Sequence, residues 1–257
     1  MLTPLTIVTA ADSSFFVPLQ NLLWTVAQCE PQSKLVVWDL GMTPSQLAAL
    51  KAAYPTLDIR TFDFSKYPAY FSPKTNSGRD AFRPASLSLA ATEFGGLILW
   101  LDATSIIQGP LLKMRAILKK NGLYAKAQTG ACGKYLYPSS ATALNATVED
   151  RAQPLRNPGV FGMDSGNPAV KDLMTRWTAA NLNPAVTNPD GFNRKGKHFS
   201  NESAIFTVLL HQSKNPIEMD DSNILIQARQ YGMTRLDVQF RRGFKDVAAY
   251  RKWRDAK

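Results

Sequence analysis

Short apolar runs alternate with segments of helical periodicity through the first hundred residues of the chain. The apolar runs predict buried strands, and the periodic segments predict amphipathic helices. The predicted strands cover residues 5–12, 34–39, 57–62 and 97–101, and the predicted helices cover 16–27, 45–54 and 84–94. This alternation of strands and helices predicts an α/β fold, in which helices cover a mostly parallel central sheet.

The second half of the chain has a weaker periodicity. It predicts helices over 111–120, 168–180 and 201–211, a turn followed by a strand over 157–164, and irregular polar stretches over 138–156 and 183–200. A further polar stretch, 67–80, is expected to be a long loop, whose Tyr67, Tyr70 and Phe71 would either line an acceptor groove or anchor the loop. We expect one domain over 1–257, with a donor-binding half of about 1–107 and an acceptor-side half of about 108–257.

Composition excludes several protein classes. The chain has 257 residues, 45% of them hydrophobic, which is typical of a globular domain and not of disordered or fibrous proteins. Two cysteines and two histidines without metal-ligand spacing argue against a structural zinc site and favour a reducing compartment. The N-terminal segment lacks the features of a signal peptide, and no apolar run is long enough for a membrane span. We therefore expect a cytoplasmic protein.

The net charge adds a constraint on partners. Thirty Lys and Arg against twenty Asp and Glu give +10, which favours a polyanionic partner: nucleic acid, an anionic membrane, or a phosphate-bearing substrate. The segment 250–257 mixes aromatic and basic residues. It would either lie on an anionic membrane, as a peripheral contact, or form a terminal helix with a charged face.

The sharpest local motif is LWLDATSII, residues 99–107, in which Asp102 follows a strongly apolar strand. In open α/β sheets, ligands bind at the carboxyl ends of the strands. Asp102 would then either cap the following backbone amides or bind a metal ion or a sugar nucleotide. The sequence contains neither the G-x-G-x-x-G motif of dinucleotide-binding sites nor the G-x-S-x-G elbow of hydrolases.

Several segments follow one another in an order and spacing typical of one enzyme class. They are IVTAAD, VVWDLGMTPSQLAALKAAYP, FDFSKYP, AFRPASL, ILWLDAT, RNPGVFGMD and HFSNESAIFTVLL. Together they resemble GT-A glycosyltransferases, near glycosyltransferase family 8 and its capsule-associated relatives. The resemblance implies transfer of a sugar from a nucleotide sugar, a UDP-sugar above all, to a glycan or glycolipid acceptor of a cell-surface polysaccharide. It implies no nucleic-acid partner and favours retention of the anomeric configuration.

The resemblance also implies donor-binding residues. Asp12 and the backbone of Thr9, Ala10 and Ala11 would hold the nucleoside, and Arg83 would contact the donor diphosphate or sugar. Asp102, supported by Thr104, would bind a divalent cation (Mn²⁺ or Mg²⁺) or the donor ribose and phosphate. Asn157 and Gly159 would shape the sugar pocket.

The implied catalytic residues are Asn201, Glu202 and Asp102. Asn201 and Glu202 would face the anomeric carbon of the donor. In an inverting enzyme Glu202 would act as a base on the acceptor hydroxyl, and in a retaining enzyme it would stabilise the oxocarbenium-like state.

The chain departs from the family pattern at the metal site. Thr104 replaces the second carboxylate of the DxD motif, and the C-terminal segment with the usual third metal ligand has no counterpart. Substitutes for that ligand would be His211 or Asp220 and Asp221. Fixed cations can also stabilise a diphosphate without a metal. The candidates are Arg79, Arg83, Lys195, Lys197, Arg241, Arg242 and Lys245.

These departures leave two alternatives to an enzyme. One is a catalytically inactive GT-A module that binds a nucleotide sugar or a glycan, since loss of a metal-binding carboxylate is typical of degraded active sites. The other is a basic polyanion-binding protein on the same scaffold, which the net charge alone supports.

Overall fold

A computed structural model describes residues 2–74, 80–107, 109–187, 201–215 and 217–219, and the backbone of 228–230. The strands are β1 (Leu5–Ala11), β2 (Lys34–Asp39), β3 (Asp58–Thr61), β4 (Leu97–Leu101), β5 (Ser105–Ile107), β6 (Leu123–Ala131), β7 (Pro154–Asp164) and β8 (Ala228–Gln230). The helices are α1 (Phe16–Cys29), α2 (Pro44–Ala53), α3 (Phe82–Phe94), α4 (Leu112–Asn121), α5 (Pro138–Ala143), α6 (Val148–Ala152), α7 (Pro168–Leu182), α8 (Pro184–Thr187) and α9 (Asn201–His211).

Six strands form the central sheet in the order β3-β2-β1-β4-β7-β6. Strands β3, β2, β1 and β4 are parallel to one another, whereas β7 runs antiparallel to both β4 and β6. A separate antiparallel pair joins β5 to β8. The predicted α/β architecture with a mostly parallel sheet is therefore confirmed.

The central strands β1 and β4 are buried on both faces. Because successive side chains of a strand point to opposite faces, their residues divide between two layers of core. Ile7 and Leu99 pack in a cluster with residues of α1 and α4, while Val8 and Trp100 belong to the cluster that contains residues of α3, α7 and α9. The helices thus cover both faces of the sheet.

The first half of the chain follows the predicted elements closely. Helix α2, for example, begins at a capping box, in which Thr43 accepts a hydrogen bond from the Gln46 backbone and the Gln46 side chain accepts one from the Thr43 backbone. Pro44 occupies the first turn, where its missing N–H has no helical partner to lose. No helix in the described part of the chain has the length and apolar content needed to cross a bilayer.

The structure departs from the sequence predictions in the less regular parts. No element was predicted over β6, whose second half is polar and exposed, so it lacks the apolar pattern of a buried strand. The turn expected at the beginning of 157–164 lies inside the eleven-residue strand β7. The stretch 138–156, expected to be irregular, contains α5 and α6.

Aromatic side chains hold the polar loop after β3 against the rest of the domain. Tyr70 and Phe71 are buried, and the Tyr70 hydroxyl donates a hydrogen bond to the Asn181 carbonyl over 2.9 Å. Tyr67 stacks between Phe62 and Phe71. Of the two roles open for these aromatic residues, the structure supports anchoring.

Candidate functional site

The carboxyl ends of β1 and β4 lie side by side at one edge of the sheet. The two strands are in parallel register, with Val8 opposite Trp100, so the residues that follow them emerge at the same edge. Asp102 follows β4 directly, and its backbone N–H donates to the Gly159 carbonyl over 2.8 Å. This hydrogen bond extends the contact between β4 and β7 to the point where the chain leaves the sheet.

Arg83 lies above this edge and contacts three carboxylates. Its Nη1 donates to Glu202 Oε2 over 2.8 Å, and its Nη2 lies 3.1 Å from Asp102 Oδ1 and 3.2 Å from Asp80 Oδ2. Arg83 belongs to the first turn of α3, and Glu202 to the first turn of α9. The Arg83 side chain is 4% exposed and the Glu202 side chain 5%. We call Asp80, Arg83, Asp102 and Glu202 the Arg83 cluster.

Trp100 supports the cluster from β4. Its indole Nε1 donates to Asp102 Oδ1 over 2.7 Å, the same oxygen that accepts from Arg83. The Arg83 guanidinium carbon lies 5.6 Å from the centre of the Trp100 ring, within range of a cation–π interaction. Trp100 and Asp102 are two residues apart on a strand, so both side chains point to the same face.

Burial dominates the electrostatics of the cluster. It raises the pKa of Glu202 to about 8, although the neighbouring Arg83 charge opposes the change. Burial also raises the pKa of Asp102, again against the Arg83 charge. Arg83 Nε and Glu202 Oε1 are buried, and neither has a hydrogen-bond partner within the part of the chain that the structure describes. Carboxyl groups with raised pKa values and incomplete hydrogen bonding are typical of functional sites, and less common in purely structural clusters.

The residues predicted to hold the nucleoside lie at the same edge. Asp12 is half-buried, and its Oδ1 accepts from the Ser14 backbone over 2.8 Å and from the Ser14 hydroxyl over 2.6 Å. The side chains of Thr9, Ala10 and Ala11 are buried in the sheet. A nucleoside bound at this edge would therefore contact the backbone of these three residues and the exposed part of the Asp12 side chain.

Asn157 and Gly159, predicted to shape a sugar pocket, are bonded to each other, since Asn157 Oδ1 accepts from the Gly159 backbone over 2.8 Å. The Gly159 carbonyl accepts the hydrogen bond from the Asp102 backbone N–H, and this bond links Gly159 to the candidate site. Thr104 is 4% exposed and lies in the turn between β4 and β5.

Asn201 does not join the Arg83 cluster, although it precedes Glu202 directly. Its Oδ1 accepts from the Tyr137 backbone over 3.1 Å, and its Nδ2 lies 3.4 Å from the Val186 carbonyl. These bonds tie the start of α9 to the segments that hold α5 and α8. The expectation that Asn201 faces the anomeric carbon stays a prediction; in this structure its side chain bonds to these two segments and not to the Arg83 cluster.

His211 is also remote from the candidate site. Its Nδ1 lies 2.6 Å from Asp150 Oδ1. It is the last residue of α9, and Glu202 lies in the first turn of the same helix, about 14 Å away at 1.5 Å per residue. Therefore it cannot serve as a third metal ligand beside Asp102. The other substitutes and several candidate cations lie outside the described residues: Arg79, Lys195, Lys197, Asp220, Asp221, Arg241, Arg242 and Lys245.

The described residues do not fit the divalent cation that a DxD motif would hold. Among them, no group of three His, Cys, Asp or Glu side chains could bind a metal ion. Asp102 Oδ1 is engaged by Arg83 and Trp100, and the second carboxylate of the motif is replaced by buried Thr104. Mn²⁺ and Mg²⁺ prefer several oxygen ligands, with carboxylates among them.

Sequence reasoning missed two members of this site, Asp80 and Trp100. The sequence spacing of each residue could have predicted its place in the site. Asp80 precedes Arg83 by three residues at the start of a helix, a spacing that allows an ion pair. Trp100 precedes Asp102 by two residues on a strand and so shares its face.

Comparison with known proteins supports the fold. A family described as a protein of unknown function, DUF1647, matches residues 3–81. The sequence matches no curated protein. The chain is similar to three solved glycosyltransferase structures: the bifunctional WbbM (13% identity, TM-score 0.50), GlyE of Streptococcus pneumoniae TIGR4 (11%, 0.52) and mouse xyloside xylosyltransferase 1 (9%, 0.50).

These similarities extend over nearly the whole chain. They cover 98%, 99% and 85% of it, in the same order, and 52%, 64% and 84% of the three solved chains. The chain thus spans about half of WbbM and under two thirds of GlyE. At these identities the likeness establishes the fold alone, which is GT-A-like.

Proposed function

We propose that this protein is a glycosyltransferase that moves a sugar from a nucleotide sugar, most simply a UDP-sugar, to a glycan or glycolipid acceptor. The observation that carries the proposal is the Arg83 cluster. Arg83, Asp102 and Glu202 come from two helices and a strand, up to 119 residues apart, and meet at the carboxyl edge of a GT-A-like sheet. That edge is where open α/β sheets bind their ligands.

The cluster offers chemistry that suits a sugar substrate. Carboxylates accept hydrogen bonds from hydroxyl groups, and Asp102, a quarter exposed, is more accessible than the buried Glu202. In this proposal Asp102 contacts a hydroxyl of the donor. Asp12 and the neighbouring backbone at the end of β1 hold the nucleoside beside it.

Glu202 would act at the reaction centre. With a pKa near 8 it holds a proton at neutral pH and releases it in mildly basic solution, which suits a group that exchanges protons with an acceptor hydroxyl. The sequence resemblance favours retention of configuration, in which the ionised form of Glu202 stabilises the positive charge that develops at the anomeric carbon. The anomer formed, observed by NMR, distinguishes retention from inversion.

The proposal is tested by UDP release and thermal shift with a panel of UDP-sugars. Wild type should release UDP from at least one donor, and Asp102→Asn should reduce the rate by about 100-fold, because a positioned hydrogen-bond acceptor is lost. Asp172→Asn is a matched control, since Asp172 forms an exposed ion pair with Arg176 on α7. A wild type that neither shifts its Tm nor releases UDP with any donor would contradict the proposal.

A second function has one observation in its favour. Buried Thr104 stands in place of the second DxD carboxylate, and Asp102 is hydrogen-bonded to Arg83. Both features suit a GT-A module that binds a nucleotide sugar or a glycan without turnover. Such a module would show a donor-specific rise in Tm but no UDP release with any acceptor. The polyanion-binding alternative depends mainly on basic residues outside the described part of the chain.

A further inference from the structure

The Arg83 cluster contains more negative than positive groups. Three carboxylates lie within 3.2 Å of a single guanidinium group, and that group is almost entirely buried. Of the three, only Glu202 is buried, while the side chains of Asp102 and Asp80 are 25% and 54% exposed. A buried carboxylate needs a counter-ion or a proton to be tolerated. Among the ion pairs of the described residues, Arg83 is the side chain that supplies a positive charge to these carboxylates.

A divalent cation would compete with Arg83 for the same oxygen atoms. Asp102 Oδ1 already accepts from Arg83 Nη2 and Trp100 Nε1, and Glu202 Oε2 accepts from Arg83 Nη1. A metal ion that bound these carboxylates would stand within a few ångströms of the guanidinium, so the two cations would repel each other. The guanidinium is also held in place, by Asp80 in its own segment and by Asp102 and Glu202 in two others.

We propose that Arg83 is the resident cation of this site and takes the place of a divalent metal ion. The wild-type site then binds neither Mn²⁺ nor Mg²⁺ at the Arg83 cluster. Asp102, fixed by Trp100 and Arg83, contacts donor hydroxyls directly. The part of this inference that concerns the donor rests on the proposed function; the part that concerns the metal ion does not.

The first test measures Mn²⁺ binding to the protein alone, by the EPR signal of free Mn²⁺. Wild type should bind no stoichiometric Mn²⁺ at concentrations up to about 1 mM. Arg83→Gln removes the positive charge that repels a second cation, so the side chains of the cluster can rearrange around Mn²⁺, and the affinity should rise at least about tenfold over wild type. One equivalent bound by wild type and lost in Asp102→Asn would overturn the proposal.

Arg60→Gln is the matched control. Arg60 also pairs with two carboxylates, those of Asp58 and Glu93, but this cluster is on the surface. The variant should gain no stoichiometric Mn²⁺ site. If it gained one as tight as that of Arg83→Gln, the gain at Arg83 would reflect the loss of any arginine, and the proposal would lose this support.

The second test uses wild type only, so it holds even if Arg83→Gln does not fold. UDP is titrated calorimetrically into the protein in EDTA and, separately, in MnCl₂. The proposal expects dissociation constants equal within about threefold. UDP binding that is more than about tenfold tighter in Mn²⁺, with the gain lost in Asp102→Asn, would contradict it. If UDP binds in neither buffer, the proposed donor is wrong, while the Mn²⁺ titration of the free protein still decides the role of Arg83.

Discussion

Arg115 and Arg83 are both buried and both paired with a buried glutamate, but their clusters differ in how completely the polar atoms are bonded. Arg115 forms two bonds to Glu30, of 2.6 and 2.9 Å, and its Nε donates to the Thr3 carbonyl over 2.9 Å. Glu30 also accepts from the Leu111 backbone and the Ser33 hydroxyl. This network joins α1, α4 and the start of β1, and both carboxylate oxygens are used.

In the Arg83 cluster, by contrast, Arg83 Nε and Glu202 Oε1 are buried and have no hydrogen-bond partner among the described residues. The pKa values show the consequence. Burial would raise the pKa of Glu30, but the hydrogen bonds from Arg115, Leu111 and Ser33 outweigh it and lower the pKa. At Glu202 burial prevails and the pKa rises to about 8. A completely bonded pair stabilises the fold, whereas an incompletely bonded one keeps capacity for a ligand or a proton.

The largest effect is expected from breaking the complete network with Glu30→Gln. The change leaves the Arg115 charge buried without its counter-ion, so the free energy of unfolding should fall by about 3–5 kcal/mol. Chemical denaturation at neutral pH measures it. Glu93→Gln is the control, because Glu93 pairs with Arg60 at the surface, and its denaturation midpoint should barely move. Equal losses in the two variants would mean that the Glu30 network does not stabilise the fold as argued.

The corresponding substitution at Glu202 should raise the free energy of unfolding, whereas Glu30→Gln should lower it. A pKa raised from 4.5 to about 8 means that the folded protein holds a proton that the unfolded chain releases, so wild-type stability falls as pH rises between these values. Glu202→Gln removes this dependence. The variant should nearly match wild type at pH 5 and exceed it by about 3 kcal/mol at pH 8, since a tenfold change in a protonation equilibrium corresponds to about 1.4 kcal/mol.

Denaturation of both proteins at pH 5, 6, 7 and 8 checks this expectation. A constant difference across these values would show that Glu202 is ionised in the fold. Glu30 has the reverse pattern: its lowered pKa adds stability above the unfolded value, and this contribution is lost as the pH falls through the folded value.

The sequence predicts the parallel core well because local rules and burial agree there. Strands β1, β2 and β4 are short, apolar and bounded by caps or small residues, and Thr43-Pro44 marks the start of α2. The sequence pattern does not predict strand β6. It pairs with β7 at the edge of the sheet, so half of its length needs no apolar residues. Its position depends on tertiary pairing.

The candidate site was predictable only in part. Asp102 follows a buried strand, so its place at the sheet edge follows from its neighbours in sequence. The meeting of Arg83 with Glu202 does not, because 119 residues separate them and only the packing of α9 beside α3 and α7 joins them. The different surroundings of Asn201 and Glu202 depend on the rotation of α9, which a weakly amphipathic sequence does not specify.

The smallest effect, and the sharpest probe of the incomplete cluster, is expected from Trp100→Phe. The change keeps a buried aromatic ring but removes the N–H that donates to Asp102 Oδ1. The loss of one hydrogen bond to a charged group should cost about 1.5 kcal/mol in the free energy of unfolding. If Trp100 positions Asp102 for the donor, UDP binding should also weaken by about tenfold, which equals about 1.4 kcal/mol.

Trp38→Phe isolates the contribution of this N–H. Trp38 is also a buried tryptophan at the end of a strand, but its Nε1 has no hydrogen-bond partner in the described structure. Its substitution removes a similar volume without removing a bond, so its loss of stability measures the change in packing alone. Subtracting that loss from the Trp100→Phe value leaves the contribution of the bond to Asp102. Equal losses of stability in the two variants, together with unchanged UDP binding in both, would mean that Trp100 serves only the core and does not position Asp102.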